Sequence, residues 1–196
     1  LSLFNVKESL VQNVDRLCFA RGGALRLEFE ELYNALFVHA DKYVDIVHLL
    51  ADRRGGMTSG EIAKITGIDG KRLAKILNNL ERCDFVMRFK YYGKKNNDII
   101  YKLTDFYTLF YLKYIEPNID FYDEQWWQHH VASHSVESWL GLTFELLCLM
   151  HIRQIRQSLG IGGVATEVST WFDPADKSKA VKGSQIDLII ERADRI

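Results

Sequence analysis

The sequence predicts an α+β protein, and three observations carry that class. Three short amphipathic helical patterns stand in a row between residues 43 and 82; two runs of alternating apolar residues follow, over 85–91 and 99–103; and a long apolar helix near 137–159 precedes two further strand-like runs, 164–172 and 185–191. Composition removes several other classes. With 47% hydrophobic residues and only two prolines among 196 residues, the chain has the apolar content that disordered segments lack. Its longest apolar stretches, such as Leu146 to Met150, fall far short of the ~18 residues a membrane-spanning helix needs. Cys18, Cys83 and Cys148 are odd in number and widely separated, which fits neither a disulfide framework nor a zinc pattern and leads us to expect a cytoplasmic protein. Leu1 stands where a start methionine would, and Ile196 ends a strand-like run. Both ends therefore read as cuts in a longer protein.

The net charge of −1 conceals an asymmetry. Residues 52–103 hold 12 Lys and Arg against 6 Asp and Glu, an excess of +6, and the rest of the chain carries −7. A basic block in an acidic chain is the footprint expected of a phosphate-binding module, although lysines that merely solubilise one face would produce it too.

Residues 1–40 read as a helical connector, with Leu25, Phe29, Leu32, Tyr33 and Leu36 at helical spacing after the Gly22-Gly23 break. Residues 41–103 carry the clearest organisation. A first helix from about Tyr43 to Arg54 ends at Gly55-Gly56. Thr58-Ser59-Gly60-Glu61 is a capping box that starts a second helix, and Asp69 is placed to cap a third, Lys71 to Arg82. That third helix has Leu73, Ile76, Leu77 and Leu80 on one stripe, and Lys71, Arg72, Lys75, Asn78, Asn79 and Arg82 on the other. The two alternating runs then make a hairpin with a polar, basic tip containing Lys94 and Lys95. Three helices followed by a basic hairpin is the order of a winged helix-turn-helix domain, whose third helix enters the major groove while the wing reaches flanking phosphates. Arg and Lys can donate to guanine or phosphate and Asn can pair with adenine, so these eight side chains are the candidate contacts to double-stranded DNA. The same aliphatic stripes would be required for a core if the unit met only protein.

Residues 104–196 begin with an aromatic-rich helix, 105–114, ended by Glu116-Pro117-Asn118. His130 and His134 are spaced like the ligands of an H-E-x-x-H zinc site, but the glutamate is missing and no third ligand follows. On the long helix from about Glu137 to Leu159, Glu145 shares a face with Leu142 and Leu149. An ionised carboxylate alone in such a setting would cost several kcal/mol, on the order of a buried charge, so it implies a partner, either a cation or a metal. Asp187 interrupts the otherwise apolar strand 185–191 in the same way.

Several runs together, Leu17-Cys18-Phe19, Glu28-Phe29, Glu116-Pro117-Asn118, Phe144-Glu145, Leu159-Gly160-Ile161 and Gln185-Ile186-Asp187-Leu188-Ile189-Ile190-Glu191-Arg192, resemble the C-terminal half of a prokaryotic family of AAA-type ATPases. The resemblance spans nearly the whole chain. It implies a P-loop ATPase domain upstream, then a winged helix over 41–103, then over 104–196 a truncated PD-(D/E)xK, restriction-endonuclease-like domain. In such nucleases a helix glutamate, a strand aspartate and an E-x-K on the next strand hold Mg²⁺. By that resemblance Glu145 and Asp187 would be the catalytic and metal-holding acids, with the E-x-K expected beyond Ile196 and ATP bound only in the upstream domain. No Walker A loop occurs in these residues. The alternative expectation is a non-catalytic regulatory or oligomerising module, possible as a homo-oligomer, that uses the same folds for protein contacts.

Overall fold

The computed structural model describes residues 3–53, 55–92, 99–121, 123–173 and 183–193. Helices α1 (Leu10–Val14), α2 (Glu28–Leu36) and α3 (Ala40–Ala51) lead into a short strand β1 (Met57–Thr58), then α4 (Ser59–Thr66), α5 (Gly70–Arg82), β2 (Val86–Tyr91) and β3 (Ile99–Leu103). The expected starts of the helices are met by real caps. Thr58 Oγ1 accepts from the Glu61 amide while the Glu61 carboxylate accepts from the Thr58 amide, and Asp69 accepts from the amides of Lys71 and Arg72.

The second half holds α6 (Phe106–Phe110), a π-helical turn (Tyr111–Ile115), a 3₁₀ turn (Glu116–Asn118), α7 (Trp126–His130), α8 (His134–Met150), α9 (Ile152–Ser158), β4 (Thr166–Asp173) and β5 (Ser184–Arg192). The long helix expected from 137 to 159 is broken at His151 into α8 and α9. His130 ends α7 and His134 begins α8, with the Ser133 cap between them, so the two histidines do not share a helix face. His130 is instead stacked on Trp126 at 4.2 Å.

One five-stranded sheet runs in the order β1-β3-β2-β4-β5, with every neighbouring pair antiparallel except β2 and β4, which are parallel. The junction is short. Lys90 pairs with Ser169 and Tyr91 with Thr170. The expected boundary at 103/104 is therefore crossed by sheet hydrogen bonds, and residues 41–103 share a sheet with residues 104–196.

The two sheet faces have separate cores. Phe85, Val86 and Leu103 join the main core made by Tyr43, Val47 and Leu50 of α3, Ile62 of α4 and Leu73, Leu77 and Leu80 of α5. On the other face Phe89 and Ile100 meet Leu149 of α8, with Met87, Val168 and Leu188 around them. Residues 1–40 contribute directly to the main core rather than merely leading to it. Phe29 stacks on Tyr111 at 4.3 Å, Phe37 stacks on Tyr43 at 4.0 Å, and the Tyr33 hydroxyl meets Thr108 Oγ1 at 3.2 Å. Farther along, Asp15 accepts from the amides of Trp127 and Gln128.

Candidate functional site

Glu145 and Asp187 line one cavity of about 580 Å³, and Lys102 lines it with them. Its walls come from the C-terminal end of α3, the end of β3, the stretch from α6 to the 3₁₀ turn, α8 and β5. Each of the three side chains arrives for a local reason.

α8 buries Val136, Leu146 and Leu149 and half-buries Trp139, Leu142 and Thr143, a stripe at three- and four-residue spacing. Glu145 sits at the margin of that stripe, half-buried, so its carboxylate reaches the cavity instead of open water.

Asp187 lies beside an irregularity in the hairpin. Trp171 pairs with Ile186 and Ser169 with Ile189, so β5 has one residue more than β4 across this interval. A bulge of this kind interrupts the alternation of side chains and re-aims one of them. Leu188 packs against the cluster of Phe89, Ile100 and Leu149, while its neighbour Asp187 lines the cavity that α8 also walls.

Lys102 lies opposite Met87 in the β2/β3 ladder, on the face that carries Phe89 and Ile100 toward α8. Its ammonium nitrogen is 5.5 Å from the centre of the Phe89 ring. Burial lowers the proton affinity of Lys102, and the charges of Asp187 and Glu145 oppose that shift. Lys102 thus lines the same cavity as the two acids, a residue that the sequence offered only as one more cation of a basic block.

Gly56 serves the same corner. Its φ is +81°, and a Cβ there would lie 2.8 Å from Lys102 Cγ and 2.9 Å from the Tyr101 carbonyl oxygen. Only glycine combines that backbone conformation with that approach to β3. His48 and Glu116 also line the cavity, with His48 Nε2 3.3 Å from the Glu116 carboxylate. Among the described residues no group of three or more His, Cys, Asp or Glu is placed to hold a metal.

The candidate DNA contacts separate into three sets. Lys71, Arg72, Lys75, Asn78 and Arg82 are exposed on α5. Asn79 is not on that surface in the same sense: it is half-buried and donates to the Tyr43 hydroxyl at 2.8 Å, tying α5 to α3. Lys94 and Lys95 lie outside the described residues. No described helix is long and apolar enough to cross a membrane. Comparison with protein-family models, with curated proteins and with solved structures finds no match to this chain.

Proposed function

We propose that this chain is the DNA-binding and nuclease-like C-terminal part of an AAA-type ATPase, with a winged helix over 41–103 and a Mg²⁺-dependent site built on Glu145 and Asp187. One observation carries the reading. Two acids that looked misplaced in apolar segments reach the same cavity from α8 and β5. The winged-helix part is supported by the order α3, β1, α4, α5, β2, β3, by the pairing of β1 with β3, and by α5 itself, whose cations are exposed while its leucines fill the core.

The donor set suits a hard cation. Glu145 and Asp187 would hold Mg²⁺ through carboxylate oxygens, and the metal would stabilise negative charge at a phosphate. The chain's own residues do the rest of the binding. Lys71, Arg72 and Lys75 would neutralise phosphates along a duplex, and Asn78 and Arg82 stand farther along the same exposed face to meet base edges or backbone. ATP would bind only in the upstream domain that the resemblance implies, and a cytoplasmic setting follows from that family.

A second reading has its own observation. Leu140, Phe144 and Leu147 form an exposed apolar row on α8, with Phe144 64% exposed. Such a row suits a protein contact, in a regulatory or oligomerising module without catalysis. Calorimetry with Mn²⁺ and duplex titration at low salt separate the two. The first reading expects metal binding that Asp187→Ala weakens, together with salt-sensitive duplex binding. An Asp187→Ala chain that binds metal as tightly as the parent removes the site assignment, and a chain indifferent to DNA at low salt removes the DNA-binding one.

A further inference from the structure

We infer that α8 is a self-pairing helix: two copies of this chain meet antiparallel through the outer face of α8, about a two-fold axis that passes beside Phe144. The inference rests on the apolar row behind the second reading and names its partner. It depends on neither the acid pair nor DNA. α8 is apolar on two sides where one would satisfy the fold. Leu146 and Leu149 lie on the inward side and are buried. On the opposite side Leu140, Phe144 and Leu147 are 49%, 64% and 40% exposed, and their four- and three-residue spacing stands them one above another. A contiguous apolar surface of this kind marks a contact site.

The flanks of the row say what covers it. Glu137 and His151 stand seven residues before and after Phe144, two turns away on the same side of the helix, and both are exposed. A two-fold axis at Phe144 sets each residue beside the partner residue equally far on the other side of position 144. Glu137 therefore meets the partner's His151, and His151 meets the partner's Glu137. His151 Nδ1–H donates to the Leu147 carbonyl at 3.0 Å, which leaves Nε2 as the atom to face that carboxylate. By the same rule Leu147 falls against the partner's Gly141. Glycine weakens a helix interior, yet this one is exposed in the middle of 17 helical residues, and a Cβ there would meet nothing within 4 Å. A leucine from a second copy supplies the close approach that the chain itself does not. Antiparallel alignment also brings the positive end of one helix dipole to the negative end of the other.

Sedimentation equilibrium on the full chain, with thermal unfolding of each variant to confirm folding, tests the pairing. Wild type should be dimeric at about 100 μM. Phe144→Glu sets two carboxylates face to face on the axis and should leave a monomer. Gly141→Gln should unfold no earlier than wild type at concentrations where both are monomeric, because glutamine is the better helix former, yet weaken the dimer about tenfold or more by filling the seat of the partner's Leu147. Glu137→Lys should weaken it, and adding His151→Glu should restore it. Leu140→Cys in a Cys83→Ser background should cross-link on mild oxidation to the partner's Cys148, since both positions lie four residues from Phe144. A monomeric wild type at that concentration overturns self-pairing and leaves the row to a different protein. A dimer that survives Phe144→Glu overturns both the pairing and the row's role in contact. A dimer lost with Phe144→Glu but indifferent to Gly141→Gln, or without the cross-link, overturns the antiparallel arrangement.

Discussion

Replacing Lys71, Arg72 and Lys75 with alanine removes three exposed cations from the first turns of α5 while leaving the helix able to form. The Asp69 carboxylate caps the amides of residues 71 and 72, which alanine retains, and alanine is at least as good a helix former as lysine or arginine. None of the three side chains is buried, so unfolding free energy should change by no more than about 0.5 kcal/mol. The effect should fall on duplex binding. If each side chain neutralises one phosphate, the slope of log affinity against log salt becomes shallower by about 2.7, from ~0.9 per contact. Between about 50 and about 200 mM salt, a fourfold range, wild-type affinity should fall about 40-fold more than that of the variant. Fluorescence anisotropy with a labelled duplex at four or five salt concentrations reads both slopes directly. An unchanged slope in the triple variant refutes the placement of α5 against the phosphate backbone.

Gly56→Ala should destabilise by ~1–3 kcal/mol in denaturant unfolding, because it forces an alanine into the left-handed region and against the Tyr101 carbonyl; Gly22→Ala, which meets nothing within 4 Å, should be nearly neutral. Burial pushes the Cys18 thiol up to about 12, so at pH 8 about one in ten thousand is ionised, and a thiol reagent should label exposed Cys83 quickly and Cys18 only on unfolding. Burial holds the Asp15 carboxyl above its usual value, against the two amides that favour its charged form. The folded state therefore takes up this proton more readily than the unfolded state. The associated stability is present below the unfolded value near 4 and is lost as pH rises through the folded one, so Asp15→Asn should flatten that stretch of a stability–pH curve.

Local signals in the chain were legible because they are local. The Thr58 and Glu61 capping box, the Asp69 cap, the aliphatic stripe of α5 and the alternation in β2 and β3 each depend on residues within one turn or one strand. Glu145 and Asp187 stood out for a similar reason, as charges in apolar surroundings. What escaped was set by contacts distant in sequence. The two-residue pairing of β2 with β4 leaves no mark on either strand's pattern. Lys102 reads as one basic residue among twelve until the sheet brings it to the cavity that α8 also walls. The bulge beside Asp187 is a mismatch between two strands, so it exists in neither alone. Asn79 looked like a base-reading amide because helical spacing gives its side of α5 but not the Tyr43 hydroxyl that claims it.

The parallel seam between β2 and β4 also governs how this protein can be handled. Dividing the chain after Leu103, where the composition changes, would strip one flank of β2 and one flank of β4 of their ladder partners at Lys90, Tyr91, Ser169 and Thr170. Each piece would then present a raw strand margin, a ready template for stacking with its own kind, so the two halves are better produced as one polypeptide than as separate products.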